Sequence, residues 1–257
     1  MRHCWIFLII LFFFTYAQAG ISIDPLRIEL TAKPGQLLEG SYTITNTDTQ
    51  PLIVTIQSKN YFTLEENKKI AIEDWFKLSS KKFRLNGKDS KKIMYNITVP
   101  QQAQGFLMVL NSFSSEKLNP QGDVQKEMLN IVYSVPVYVR IEGKQKVGAE
   151  IGKIEIAGDS NNLHVMVKIH NTGNTYLRPY GTIEIIRKGK SLGSITLKQG
   201  WPVFPDKIES YRGKQGGFNL KPGKYTMVVK IYSDKPDFQF KKKAHFWITK
   251  KGTVKCK

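Results

Sequence analysis

From Ile21 onward, apolar and polar residues alternate with a period of two along most of the chain, the pattern of half-buried β-strands. Ile21, Ile23, Leu26, Ile28 and Leu30 open the series, and Pro25 is expected to break its phase. Leu38–Thr45 carries Tyr42 and Ile44, then Leu52, Val54 and Ile56 alternate, and Ile93, Tyr95, Ile97 and Val99 follow. Phe106–Phe113 is a richer apolar run, suited to a strand buried on both faces. Leu129–Ile141 is the longest strand candidate, and its odd positions are all apolar: Leu129, Ile131, Tyr133, Val135, Val137, Val139 and Ile141. Turn residues punctuate the runs at Lys33-Pro34-Gly35, Asn46-Thr47-Asp48, Asn86-Gly87 and Asn119-Pro120-Gln121-Gly122. Helical spacing is confined to a turn near Ile72–Leu78. Seven or so short strands in this stretch predict an antiparallel sandwich.

A second series begins after the polar stretch Glu142–Lys146. Leu163, Val165, Val167 and Ile169 alternate with His164, Met166, Lys168 and His170, and strands are expected at 182–186, 194–197, 225–232 and 244–249. Lys188-Gly189-Lys190 reads as a hairpin turn. Leu220-Lys221-Pro222-Gly223-Lys224-Tyr225 has the pattern of a tyrosine corner, in which a Tyr hydroxyl bonds back to nearby backbone at the edge of an immunoglobulin-like sandwich. Ile44-Thr45-Asn46-Thr47-Asp48 is echoed by Ile169-His170-Asn171-Thr172-Gly173. The expected fold is all-β, with two tandem immunoglobulin-like β-sandwich domains over 20–143 and 147–257.

The first 19 residues stand apart. Arg2 and His3 precede an apolar stretch from Trp5 to Phe14, and Ala17-Gln18-Ala19 fits a cleavage site, so 1–19 reads as a secretory signal peptide. The expected location is periplasmic or otherwise exported, with no further membrane segment. Cys4 falls in the signal and Cys256 is then the single mature cysteine, which leaves no internal disulfide. The net charge of +18 is uneven. Residues 20–145 hold 16 Lys and Arg against 13 Asp and Glu, whereas 146–257 hold 22 against 8. A basic exported domain suits an anionic partner such as the envelope surface, and export argues against nucleic acid.

Little points to catalysis, and the chain reads as a non-enzyme without metal or cofactor. His164 and His170 lie on one strand face at a separation of about 20 Å, too far for a shared metal. Nucleophile elbow, zinc-protease and phosphate-loop motifs are missing. The paired acids Glu65-Glu66 and Glu73-Asp74 read as solvated loop, and Asn96-Ile97-Thr98 falls within a strand. The informative feature is Leu129–Ile141. Pro136 has no N–H to give to a ladder, which argues for an edge, and a long apolar edge invites pairing with another chain. The other reading is that the strand is paired within its own domain and its odd face is core.

Residues 21–141 resemble the N-terminal domain of periplasmic chaperones of chaperone–usher pilus assembly. The resemblance rests, in order, on Ile21–Ile28, Gly40–Thr47, Leu85–Pro100 and Tyr133–Val139. It implies that the last strand of this domain is lent to an incomplete β-sandwich subunit of pilin type, with a basic cleft holding the subunit's terminal carboxylate. On this chain the implied partner-binding residues are Arg27, Leu129, Ile131, Tyr133 and Val135. The family's anchor lysine has no match, its place holding Pro136, and Arg140 has no counterpart in the pattern. The second unit, through Asn171-Thr172-Gly173-Asn174, Gly181 and Pro222–Tyr225, resembles an immunoglobulin-like module of surface and cell-wall-associated proteins. A non-enzymatic envelope or cell-surface interaction protein is therefore the alternative to a pilus chaperone.

Overall fold

The computed structural model describes residues 20–118, 131–234 and 237–256. The signal segment 1–19 and Leu129 lie outside the described residues. The first half contains β1 (Ile21–Asp24), β2 (Ile28–Ala32), β3 (Leu37–Asn46), β4 (Leu52–Lys59), a short helical turn α1 (Ile72–Trp75), β5 (Phe76–Leu78), β6 (Lys82–Leu85), β7 (Ser90–Thr98), β8 (Phe106–Lys117) and β9 (Val132–Ile141). The second contains β10 (Ala149–Gly158), β11 (Leu163–Asn171), β12 (Tyr180–Arg187), β13 (Lys190–Leu197), β14 (Ile208–Gln215), β15 (Gly223–Asp234), β16 (Asp237–Ile248) and β17 (Val254–Cys256).

These strands form two tandem immunoglobulin-like sandwiches. In the first, a sheet ordered β1-β3-β7-β5 faces one ordered β2-β9-β8-β4-β6. Pro25 sits where the chain leaves the first sheet for the second, so β1 pairs antiparallel with β3 while β2 pairs parallel with β9. The inward side chains alternate as the sequence pattern demands, and Tyr42, Ile44, Val54, Ile93, Ile97, Val109, Phe113, Val135 and Val137 fill a dry core. A polar group deep inside, Asn111, is satisfied locally. Asn111 Nδ2 donates to the Tyr42 hydroxyl at 2.9 Å, and Asn111 Oδ1 accepts from Ser58 at 2.6 Å. Burial pushes the Tyr42 phenol well above its ordinary range.

In the second sandwich, β10-β11-β14 faces β13-β12-β15-β16-β17. Its core is a separate cluster around Val165, Val167, Ile183, Ile195, Tyr225, Val229 and Phe246. The tyrosine corner is present: the Tyr225 hydroxyl donates to Lys221 O at 2.5 Å, and Arg187 reaches both that hydroxyl and Pro222 O. The Lys188-Gly189 hairpin is present too, with both residues at positive φ, as a tight two-residue loop requires. The strands β10 and β14 carry little sequence signal. β10 has glycines and a break in register between Ile151 and Ile154, and β14 buries only Tyr211 and Gly213.

Candidate functional site: the cleft between the sandwiches

β9 is the hinge of the site. Over Val137–Ile141 it is paired on both sides, with β2 on one flank and β8 on the other. From Val132 to Pro136 it is paired with β8 alone among the described residues. Its free flank therefore ends where β2 starts to pair, beside the exposed Leu26 and Arg27. Pro136 stands in that single-sided stretch, opposite Leu110, where its missing N–H costs the sheet little.

The alternation along β9 divides its side chains between two environments. Val135, Val137, Val139 and Ile141 point into the first core, and Val135 has no accessible surface. Val135 thus packs into its own domain and does not face a partner, contrary to the expectation from the sequence. Tyr133 is half-buried against the same core. Ile131, just before the strand, is 44% exposed and Val132 is 52% exposed, which makes these two the accessible apolar residues at the free end.

The opposite face of β8 and β9 looks toward the second sandwich. This explains why the Phe106 end of β8 is buried on both sides. Phe106, Met108 and Tyr138 pack against Leu64 of the first sandwich and Tyr176 of the second. Rings continue across the junction, with Phe62 stacked on Phe204 at 4.7 Å and Tyr138 against Tyr176 at 4.5 Å. The connecting segment is tied down by backbone and amide bonds. Gly105 N donates to Lys144 O at 3.0 Å, Asn174 N donates to Lys146 O at 2.9 Å, and Lys146 N donates to Asn174 Oδ1 at 2.6 Å. Gly105 has φ +57, and a Cβ there would lie 2.0 Å from Asn174 O, so the second sandwich approaches closer than any other residue type permits.

Beyond this packed junction the two sandwiches open into a cleft of about 340 Å³. Met108, Leu110, Pro136 and Tyr138 form its floor, and Tyr61, Trp201 and Phe204 form its walls. Trp201 is 83% exposed, unusual for the largest apolar side chain and characteristic of a contact surface. Its carbonyl is held by the Tyr211 hydroxyl at 2.6 Å, which fixes the loop that presents it.

At one end of the junction a single carboxylate is shared by three guanidinium groups. Glu29 Oε1 lies 3.1 Å from Arg27 Nε and 2.6 Å from Arg178 Nε, and Glu29 Oε2 lies 3.6 Å from Arg140 Nη2. The Tyr176 hydroxyl also donates to Glu29 Oε2 at 3.1 Å. Arg140 is 3% exposed, lies 4.0 Å over the Tyr176 ring, and leaves Nε and Nη2 without a hydrogen-bond acceptor. The cluster sets three guanidinium groups against one carboxylate and is therefore short of negative charge, a setting that favours an arriving carboxylate. Burial pushes the phenols of Tyr176 and Tyr138 upward, so both stay neutral here.

Of the residues singled out from the sequence, Arg27 joins the Glu29 cluster, Ile131 is exposed just before β9, Tyr133 and Val135 are turned inward, and Leu129 is outside the described residues. Sequence reasoning missed Glu29, Tyr176, Arg178 and Trp201. Tyr176 and Arg178 had a signal: both occur in the short loop before β12, on either side of the core residue Leu177, where bulky residues have no strand to serve. Among the described residues, no three His, Cys, Asp or Glu side chains gather as a metal site requires, and no helix is long and apolar enough to cross a membrane.

No protein-family model and no curated protein matches the chain. Solved structures do. The chain is similar to the class 5 fimbriae chaperone CfaA, with 13% identity and a TM-score of 0.48, covering 87% of this chain and 98% of that one. The YadV chaperone is similar at 13% identity and TM-score 0.46, covering 88% of this chain and 100% of that one. The Pseudomonas aeruginosa CupB2 chaperone is similar at 10% identity and TM-score 0.44, covering 86% and 98%.

Proposed function

We propose that this protein is an exported, pilus-chaperone-like carrier that binds incomplete β-sandwich subunits by lending them a strand edge. The observation that carries this reading is the one-sided pairing of β9 from Val132 to Pro136 among the described residues, next to exposed Ile131 and Val132. An unpaired edge offers backbone donors and acceptors to a sheet that lacks a strand, and flanking apolar side chains supply contact area. The cleft beside it adds an aromatic wall at Trp201, and a separate guanidinium cluster at the junction suits a subunit's terminal carboxylate, with Arg27 as its accessible member. Arg140 and Arg178 supply charge where the resemblance leaves the anchor lysine unmatched.

The test is capture from the host's exported fraction by wild type, Ile131→Asp and Arg27→Ala. Wild type should recover small β-rich subunits. Ile131→Asp should lower recovery at least tenfold with an unchanged melting temperature, because Ile131 is outside the core. Arg27→Ala should weaken recovery without unfolding the protein. Equal recovery by wild type and Ile131→Asp would remove the strand-lending assignment.

A further inference from the structure

The sheet β13-β12-β15-β16-β17 has an outer face that takes no part in the cleft chemistry. Its composition follows from register. The inward residues of β15 and β16 include Tyr225, Met227, Val229, Phe246 and Ile248. The alternate residues point outward, and the pairs Lys224 with Trp247, Lys230 with Lys241, and Trp247 with Lys255 place these side chains on one face. Lys243, between Lys241 and His245 in the same row, completes it. Lys224, Lys241, Lys243 and Lys255 are exposed. Among the residues whose side chains are described, the acidic residues facing the same way are Glu184, already 3.8 Å from Lys230, and Asp237 at the far end of the β16 row. Lys242, by contrast, turns to the other side and donates to the carbonyls of Ile151 and Gly152.

We infer that this face docks the protein on an anionic phospholipid bilayer. Three observations favour a bilayer. The cations lie on a sheet face, about 7 Å apart along a strand and about 5 Å across neighbouring strands, which suits an extended charged plane. All are lysines, compact point charges, whereas directional recognition of single anionic groups favours the planar fork of arginine. Trp247 sits half-buried among them, with Lys224 Nζ 5.6 Å from its ring, and an indole beside lysines is the side-chain pairing of a membrane–water boundary. Charge complementarity thus commits the face to lipid phosphates, independently of what the cleft binds.

The experiment is co-sedimentation of protein purified from the exported fraction with vesicles of phosphatidylcholine alone or with 30% phosphatidylglycerol. Wild type is compared with K241Q/K243Q/K255Q and with the control K77Q/K82Q/K92Q, which removes the same charge from the first sandwich. All three share whatever N-terminus the exported form carries, and melting curves confirm folding. Wild type should bind the phosphatidylglycerol vesicles only, and 0.5 M salt should release it. At about fivefold per lysine near an anionic surface, the triple variant should lose about a hundredfold in partitioning while the control loses far less. Equal loss in both variants would reduce the effect to net charge and overturn the assignment of this face. Failure of wild type to bind phosphatidylglycerol, including the case where it binds an anionic polysaccharide or acidic protein instead, would overturn the bilayer.

Discussion

Asn46 and Asn171 do the same work in the two sandwiches, and their environments agree bond by bond. Each ends an early strand fully buried, and each side-chain oxygen accepts from the backbone N–H two residues on, at Asp48 and Gly173 respectively. Each Nδ2 donates to the carbonyl four residues on, Gln50 O at 2.8 Å and Thr175 O at 2.7 Å. A further bond from each crosses to a distant segment, at Asn86 O and Val203 O. The side chain therefore plugs one end of the sandwich and satisfies carbonyls that are buried or partly buried there. Replacing Asn46 with Ala should cost about 2 kcal/mol, and Asn171→Ala about the same, because several buried or partly buried carbonyls lose their donor at once. Denaturant unfolding of the two variants checks this. A cost below about 0.5 kcal/mol at either site would mean that water enters and takes over the bonds. The short echo in the sequence was thus a chemical requirement, legible because one residue type alone offers both an acceptor and two donors at that length.

At the scale of the element, the period-two pattern located most strands but could not say which flank of a strand is free. Along β9 the odd residues read as one apolar face, and from sequence alone that face serves a partner's groove or the domain's own core equally well. The structure divides it: Val135–Ile141 is core, and the accessible apolar residues are Ile131 and Val132 at the strand's start. Which flank of β9 is free depends on where β2 starts to pair, a long-range fact set by the crossover at Pro25 and invisible in the local pattern of β9. Strands with few buried residues, such as β14, escape sequence reading for the related reason that their place is set by neighbours. The distinction along β9 has a measurable consequence. Val135→Asp should unfold the first sandwich or cost at least about 4 kcal/mol, since it buries an unpaired carboxylate among apolar side chains. Near-wild-type melting of Val135→Asp would show that this part of β9 can turn outward.

At the scale of the molecule, the question is what holds two sandwiches at a fixed angle so that the cleft between them has a defined shape. Apolar rings provide area, but the charged cluster provides direction, because its members come from both halves: Glu29, Arg27 and Arg140 from the first, Tyr176 and Arg178 from the second. Arg27 stood out in the sequence, but the cluster as a unit was not legible there, since Glu29 and Arg178 are 149 positions apart and Glu29 reads as an ordinary surface charge. Folding removes both from most solvent, and charges so placed are worth keeping only together. Glu29→Gln should therefore destabilise the protein by about 3 kcal/mol, by leaving three guanidiniums without their shared carboxylate. Arg178→Met alone should cost less, since Arg27 and Arg140 remain to balance Glu29. The double variant should cost clearly less than the sum of the singles, because the second change removes a cation that the first had stranded. A four-way cycle of denaturant unfolding measures the coupling. Strict additivity would show that the Glu29–Arg178 contact does not bind the sandwiches to each other, and that the cleft angle is held by the rings and the linker bonds alone.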